Sequence, residues 1–175
     1  MSAFRSLFAQ ALRAAAALVL VSAVAAQAQQ PLPKPEGRPI LDVTGKIAVT
    51  NAPEKASFDL AMLEKIGATR TKTSTAWTEG QPTFEGVSLK ALFERLGAKG
   101  DTVIAIALND YKVEIPMDDF NKYPVILAYR MNGEVLRVRD KGPLWIVYPQ
   151  DDVPALKNKE TQAKWVWQVK ELRIR

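Results

Sequence analysis

Short apolar or alternating runs separated by turn residues fill the second half of the chain, and this pattern indicates a fold rich in β-strands. Asn132-Gly133 stands between two such runs and predicts a hairpin, because both central residues of a type I′ turn need a positive φ. The run 144–148 is apolar throughout, which is typical of a strand covered on both faces. Alternation in the last run changes phase near Lys170-Glu171, which predicts a β-bulge. The predicted strands are 102–108, 112–115, 125–131, 134–138, 144–148 and the run from Trp165 onward.

The first half of the chain contains the clearest helix, at 89–96. Ser88 is its predicted N-cap, and Gly97 is expected to end it. Its apolar residues recur at the spacing of one helical face, and they are Leu89, Leu92, Phe93 and Leu96. We expect this face, and not Lys90 or Glu94, to be buried on a sheet that contains 144–148.

Weaker signals complete the secondary structure. Asp59 predicts the cap of a helix at 60–66, and Asp118 predicts the cap of a helical turn at 117–123. Asp151-Asp152 follows a proline and is interpreted as a turn, because adjacent carboxylates lack the alternate spacing of a calcium loop. Further strands are predicted at 46–50, 56–58 and 69–75. The prediction is one α+β domain of mixed β-sheet with short helices, covering 40–175.

The N-terminal residues have the pattern of an export signal. Arg5 and Arg13 precede an apolar run that is too short to cross a bilayer as a helix, and a small-x-small cleavage pattern ends at Ala28. We predict a signal peptide at 1–28, a proline-rich tether at 29–39, and a periplasmic or secreted domain without a membrane span after cleavage. No twin arginine is present, so the Sec route for unfolded chains is favoured. An uncleaved membrane anchor is the alternative.

Composition excludes several function classes. Without Arg5 and Arg13, the 24 basic residues fall to 22 against 19 acidic ones, a formal charge of +3. Basic residues are dispersed among acids, apart from small local excesses that include Arg137, Arg139 and Lys141, so no nucleic-acid partner is expected. The chain has no cysteine and no histidine, which rules out disulfides, zinc sites of the usual kind and histidine-based nucleophilic catalysis.

Several motifs follow one another in a recognisable order. They are the polar strand 69–75, Trp77, the Gly-Val-Ser-Leu entry at 86–89 into a helix that ends at Gly97, Asp110-Tyr111, the hairpin 128–134, Gly142-Pro143-Leu144 and the tryptophans Trp165 and Trp167. In this order the chain from about 45 to 174 resembles the molybdopterin-binding domain of sulfite-oxidase-type oxidoreductases. The segments TSTAWTEG, FEGVSLKALF, LNDY and KGPLWIVYP are similar to small exported proteins of this fold that lack the dimerisation domain.

The chain departs from that family at the residue that matters most for catalysis. The resemblance implies a cysteine at the end of the polar strand, bound to molybdenum, and here the strand ends in Thr73-Ser74. A serine hydroxyl is protonated at neutral pH and is a poor substitute for thiolate. Family members also often carry histidine before the Gly-Pro strand, where this chain has Asp140-Lys141. No bound cofactor is therefore expected, although the resemblance leaves molybdopterin open.

The family's pterin groove supplies the candidate site. The resemblance implies that residues of the strand end, the turn and the approach to Gly142 line one concave surface, and these residues are Thr73, Ser74, Trp77, Asn109, Asp110, Tyr111, Arg139 and Lys141. Hydroxyls, flat rings and cations suit a small anionic or aromatic ligand. In the simpler interpretation Asn109-Asp110 is only a turn, Trp77 covers the core and Lys141 is solvated. Trp145, Trp165 and Trp167 are interpreted as core residues.

Three functions remain open from the sequence. The first is an exported ligand-binding or interaction module without molybdenum catalysis, which the missing thiolate favours. The second is a molybdopterin-dependent oxidoreductase that holds its cofactor noncovalently, and the third is an accessory protein of a membrane-bound partner. Fold resemblance alone does not decide among them, because function depends on the site.

Overall fold

Ten strands form two five-stranded sheets in the part of the chain that the structure, a computed structural model, describes: residues 31–175. The first sheet has the order β2-β1-β10-β5-β6, and the second contains β3-β4-β7-β8 with β9 also paired to β7. The strands are β1 Leu41–Gly45, β2 Lys55–Phe58, β3 Thr69–Lys72, β4 Thr83–Ser88, β5 Thr102–Ala107, β6 Lys112–Pro116, β7 Ile126–Met131, β8 Glu134–Val135, β9 Trp145–Val147 and β10 Val169–Ile174. The helices are α1 Leu60–Ile66, α2 Leu89–Leu96, α3 Met117–Lys122 and α4 Lys159–Ala163.

The prediction of a single α+β domain of mixed sheet is confirmed. The β1–β10 ladder is parallel, whereas the other strand pairs of both sheets are antiparallel. One hydrophobic cluster contains buried residues of both sheets, among them Val43 of the first and Val87 of the second. The predicted bulge is present, since the β10–β5 register shifts between Val169 and Glu171. Asn132 and Gly133 have φ values of 51° and 87°, as the predicted hairpin requires.

Helix α2 packs as its pattern predicts. The Ser88 hydroxyl accepts a hydrogen bond from the Ala91 N–H at 3.4 Å, and Gly97 ends the helix with a φ of 59°. Its four apolar residues are buried, whereas Lys90 and Glu94 are exposed. Each buried leucine or phenylalanine contributes about 1.5–3 kcal/mol to stability. Contacts with β4 place this face on the second sheet, which also contains β9.

The prediction of a strand at 46–50 is wrong. The chain forms β1 earlier, at Leu41–Gly45, and Gly45 with a φ of 85° then turns it out of the ladder. The following segment covers the end of α2, where the N–H groups of Ala48 and Val49 donate to the Leu96 carbonyl at 2.9 and 3.1 Å. Ile47 and Val49 pack partly buried against the core, which explains their strand-like alternation.

Other boundaries also need correction. β3 ends at Lys72 and not at 75, and β8 ends at Val135 and not at 138. Trp165 and Trp167 lie outside β10, because a left-handed residue, Gln168, interrupts the chain before Val169. They instead flank β9, since the Ile146 N–H donates to the Val166 carbonyl at 2.9 Å and Trp145 bridges to Trp167. The run 144–148 is therefore interior and fully buried, as predicted.

Two further differences concern α3 and β4. Asp118 does not cap α3; Pro116 occupies the N-cap position, and Asp118 forms an ion pair with Lys122 one turn later. β4 was not predicted from the sequence, because Pro82 precedes it and Gly86 interrupts its apolar pattern. Yet β4 is central to the second sheet, paired with β3 on one side and β7 on the other.

The proline-rich segment has no helix or strand within 31–39, as its prolines predict. It nevertheless lies against the domain, because the N–H groups of Glu36 and Gly37 donate to the Asp59 carboxylate at 2.9 and 2.7 Å. The predicted signal peptide at 1–28 lies outside the described residues. Between 31 and 175, no helix has the length and apolar character needed to cross a membrane.

Gly86→Ala is expected to lower the free energy of unfolding by about 2 kcal/mol. A Cβ at this position would lie 2.3 Å from the Leu127 carbonyl oxygen and 2.6 Å from the Ala128 Cα, and backbone atoms of β7 cannot move away cheaply. Chemical denaturation measures the change. Gly37→Ala is the control, since its Cβ would approach only Asp59 at 3.4 Å. Equal stability of the two variants would contradict the packing described.

A tryptophan-lined pocket as the candidate functional site

All four tryptophans of the chain form one aromatic cluster. The ring centroid of Trp77 lies 6.2 Å from Trp145, 6.2 Å from Trp165 and 5.0 Å from Trp167. Trp145 is 6.3 Å from both Trp165 and Trp167, with its ring edge toward theirs. Three separate segments thus meet here: the loop after β3, strand β9 and the stretch before β10. Edge-to-face pairs of this kind add about 0.5–1.5 kcal/mol each beyond area burial.

A cavity of about 330 Å³ opens beside the cluster. Its walls are aromatic and amide-bearing side chains with small apolar residues between them, and they come from Trp77, Ala107, Asn109, Tyr111, Gln162, Ala163, Trp165, Val166, Trp167 and Gln168. No lining residue carries a formal charge. A largely apolar cavity with a few placed polar groups is the usual form of a small-molecule site.

The polar side chains that line the cavity differ in how far they are already hydrogen-bonded within the protein. Asn109 Oδ1 accepts the Tyr111 N–H at 3.2 Å, which holds the turn that presents the tyrosine ring. Gln168 uses its amide to donate to the Val138 carbonyl at 2.8 Å. Gln162 makes no side-chain hydrogen bond within the described residues, so its amide is free to meet a ligand. Tyr111 is 56% exposed and stands at the mouth.

The buried indoles leave two donors unpaired. Within the described part of the chain, the Nε1 atoms of Trp145 and Trp165 are buried without a hydrogen-bond partner. A buried unsatisfied donor costs about 1–3 kcal/mol. The two unpaired indole donors therefore lower the stability of the fold beside the cavity.

Asp151 holds the loop that carries Trp77. Its carboxylate accepts the Ser74 N–H at 2.6 Å, the Ser74 hydroxyl at 2.9 Å and the Gln81 amide at 2.8 Å. Lys157 forms an ion pair with the same carboxylate at 2.7 Å. Hydrogen bonding by Lys157, and then by the Ser74 N–H, holds the pKa of Asp151 well below its usual range. This clamp fixes both ends of the loop, a role that the interpretation of Asp151-Asp152 as a turn did not include.

The structure brings together three of the eight predicted site residues. Trp77, Asn109 and Tyr111 line the cavity. Lys141 is not a lining residue; its ammonium lies 5.8 Å from the Trp145 ring centroid and its carbonyl accepts the Gln168 N–H at 3.0 Å. The predicted groove between Ser74, Trp77, Tyr111 and Lys141 is therefore not the cavity that forms.

The other four predicted residues have local partners outside the cavity lining. Thr73 is fully buried and its hydroxyl accepts the Asp151 N–H at 3.3 Å, and Ser74 belongs to the clamp. Asp110 pairs with Lys170 at 2.7 Å, and this ion pair lowers the pKa of its carboxyl. Arg139 lies exposed, 3.7 Å from Asp140. Any ligand role of these residues stays a prediction.

Sequence reasoning missed one wall of the cavity. Gln162 and Gln168 carry no motif signal, and their approach to Trp77 depends on how the segment between β9 and β10 folds back. Trp165 and Trp167 were assigned to the core; Trp165 is 3% exposed, and Trp167 is partly buried, yet both also line the cavity. The presence of four tryptophans in a chain of this length was the sequence signal that could have indicated an aromatic site.

Comparison with known families identifies the domain. The oxidoreductase molybdopterin binding domain matches residues 59–171, which contain nearly all of the elements described. The chain belongs to this family. A crystal structure of the sulfane dehydrogenase SoxCD from Paracoccus pantotrophus has the same fold, with a TM-score of 0.57 and 22% identity over 77% of this chain. The match spans only 37% of that chain. No curated protein matches this sequence.

Molybdopterin is the group that the family's name implies, and the donor set here does not fit a metal centre bonded to the protein. The chain has neither cysteine nor histidine. Among the residues described, no three acidic side chains converge in a way that could hold a metal ion. At the end of the polar strand, Ser74 instead donates to Asp151 and is already engaged. A molybdenum ion would find no thiolate, imidazole or free carboxylate there.

Asp151→Asn is expected to lower the free energy of unfolding at pH 7 by about 2 kcal/mol, because charge-assisted hydrogen bonds are lost. The native pKa of Asp151 is depressed, so its contribution is present above the unfolded pKa of about 3.9 and is lost as the pH falls toward the native pKa. Denaturation at pH 7 and at successively lower pH measures this difference. The neighbouring Asp152→Asn is the control, since Asp152 is exposed. A pH-independent difference would contradict the clamp.

Proposed function

We propose that this protein is an exported binding module that holds an uncharged planar aromatic ligand in the tryptophan-lined cavity, without molybdenum catalysis. The observation that carries the proposal is the cavity itself, with Trp77, Tyr111 and Trp167 in its walls and no charged side chain among its lining residues. Flat aromatic faces favour a flat ligand through offset or edge-on ring contacts. Export is supported by the signal-peptide pattern of the first 28 residues.

The polar groups suit the edge of a heteroaromatic ring. Gln162 presents a free amide with two donors and an acceptor, and Asn109 keeps its Nδ2 donors free while its oxygen holds the Tyr111 turn. Amides pair with ring nitrogens and carbonyls without adding charge. Lys141, which the sequence suggested as a contact for an anion, is turned toward Trp145. The aromatic rather than the anionic ligand class is therefore favoured.

Family membership favours a second candidate, a molybdopterin-dependent oxidoreductase that holds its cofactor by noncovalent contacts. This candidate needs a phosphate site, and phosphates in proteins are held by cations or clusters of backbone N–H groups. No cation lines the cavity. The family supplies the fold, and the lining residues of this chain favour an uncharged ligand.

Ligand binding is testable through intrinsic fluorescence, because every tryptophan of the chain lies in the cluster. We expect uncharged heteroaromatic probes, with lumichrome as the first, to change the emission saturably. Flavin mononucleotide, which adds a ribityl chain ending in a phosphate to a similar ring system, is expected to bind more weakly. Tyr111→Ala should weaken lumichrome binding about fivefold, the loss of about 1 kcal/mol of ring contact.

Val135→Ala is the matched control, since this valine is exposed and lies outside the cavity lining. Its affinity should equal that of the wild type. The proposal fails if no uncharged heteroaromatic probe alters the fluorescence, or if Tyr111→Ala binds such probes as tightly as Val135→Ala does. Preference for the phosphate-bearing probe would favour the second candidate.

A further inference from the structure

Exposed large hydrophobic side chains are few in the described part of the chain, and two of them share one groove. They are Leu108 and Val138, exposed by 43% and 54%. Backbone and side-chain bonds to Gln168 join them, because the Leu108 N–H donates to the Gln168 carbonyl at 2.9 Å and the Gln168 amide donates to the Val138 carbonyl. We call Leu108, Val138, Lys141 and Gln168 the Gln168 ridge. Single exposed apolar residues need no explanation, but adjacent ones along a groove indicate a contact surface.

Backbone strain is concentrated at the same place. Among residues 31–175, five residues other than glycine have a positive φ, and three of them are Asp110 at 65°, Lys141 at 70° and Gln168 at 54°. Asparagine and aspartate tolerate this conformation, whereas lysine and glutamine have no intrinsic preference for it. The Gln168 N–H donates to the Lys141 carbonyl, so two strained residues support each other directly. Strain of this kind collects at functional sites, where the surrounding fold holds it.

A groove of about 410 Å³ runs beside the ridge. Leu108, Val138 and Pro143 supply apolar wall, and Arg38 and Lys170 stand at its edge. Its two carboxylates are already paired, Asp42 with Lys55 at 2.8 Å and Glu171 with Arg173 at 2.9 Å. This groove is distinct from the tryptophan-lined cavity, with which it shares no lining residue.

Basic residues dominate the rim of the ridge. Arg137 and Arg139 flank Val138 and share one carboxylate, that of Asp140, at 2.7 and 3.7 Å. Within the described residues, neither Arg38 nor Lys141 forms an ion pair. The surface therefore combines an apolar centre with uncompensated positive charge.

We propose that the Gln168 ridge and its groove dock an acidic segment of a protein partner, one that places an apolar side chain between Leu108 and Val138 and carboxylates against Arg38 and Arg139. Charge complementarity selects this occupant. A second copy of the chain would bring the same basic rim against itself, and like charges placed together disfavour that contact. An anionic membrane covers a broad area and would also meet the exposed carboxylates of Asp110 and Asp140, whereas a narrow peptide segment can follow the groove, which neither of them lines.

Selection of displayed random dodecapeptides on the purified protein supplies the probe. The enriched peptides should combine aspartate or glutamate with a large apolar residue, and the strongest one is then synthesised with a fluorescent label for anisotropy titration. Val138→Asp should weaken its binding at least about tenfold, as expected for the anchor of an interface. Arg139→Glu should weaken it about threefold or more and make the remaining binding less sensitive to salt, since an attractive charge contact that salt screens is removed.

Val135→Asp is the matched control, since it places the same charge at another exposed valine and should change affinity by less than about twofold. Basic or uncharged enriched peptides, the absence of any enrichment, or equal effects of Val138→Asp and Val135→Asp would overturn the proposal. The proposal would also be overturned if the protein bound phosphatidylglycerol vesicles, or dimerised in sedimentation experiments, and Val138→Asp abolished that association. Arg139 is 71% exposed, so Arg139→Glu keeps the test valid if Val138→Asp disturbs the fold.

Discussion

Contact between Trp77 and the three other tryptophans is the interaction on which the rest of this site depends. It joins a loop of the second sheet to the chain that crosses toward the first sheet, so the cavity exists only while both are in place. Trp77 itself stands on a loop without regular structure, and the Asp151 clamp supplies the order that a strand would otherwise give. The Asp151 carboxylate accepts hydrogen bonds from Ser74 and Gln81, at the two ends of the loop, and so holds Trp77 in place.

This arrangement changes what the family's fold does at its strand end. The resemblance implies a thiolate bound to metal at that position, whereas here the Ser74 hydroxyl donates to the Asp151 carboxylate and the Thr73 hydroxyl accepts the Asp151 N–H. The nearby cavity is lined by rings and amides and carries no charge. The fold is that of a molybdopterin-binding oxidoreductase domain, whereas the uncharged cavity lining is what supports the proposed neutral flat ligand. Where the two disagree, the side chains decide the chemistry.

Sequence patterns predicted the elements whose signal is local. Helix α2, the Asn132-Gly133 hairpin and the bulge before Glu171 each follow from residues within a few positions of one another. β4 was not predicted because Pro82 precedes it and Gly86 interrupts its apolar pattern. The segment 46–50 was misassigned because packing against the end of α2 produces the same alternation as a strand. At the cavity, Trp77, Asn109 and Tyr111 are lining residues that the resemblance had named, and their binding role stays a prediction. Gln162 and Gln168 were not predicted, since only the path of the chain between β9 and β10 brings them there. Ser74 was assigned to the groove because a sequence does not reveal that Asp151, 77 positions away, binds it.

Elemental analysis for molybdenum, made together with native mass spectrometry on protein isolated from its own source, tests the central claim most directly. Loss of the thiolate, with the strand end closed by Asp151, predicts protein without molybdenum, and any mass increment should belong to a small aromatic molecule that leaves on unfolding. Molybdenum in a one-to-one ratio with the chain, accompanied by the mass of a pterin cofactor, would contradict the claim. It would show that the fold holds its cofactor without any side chain that bonds to the metal.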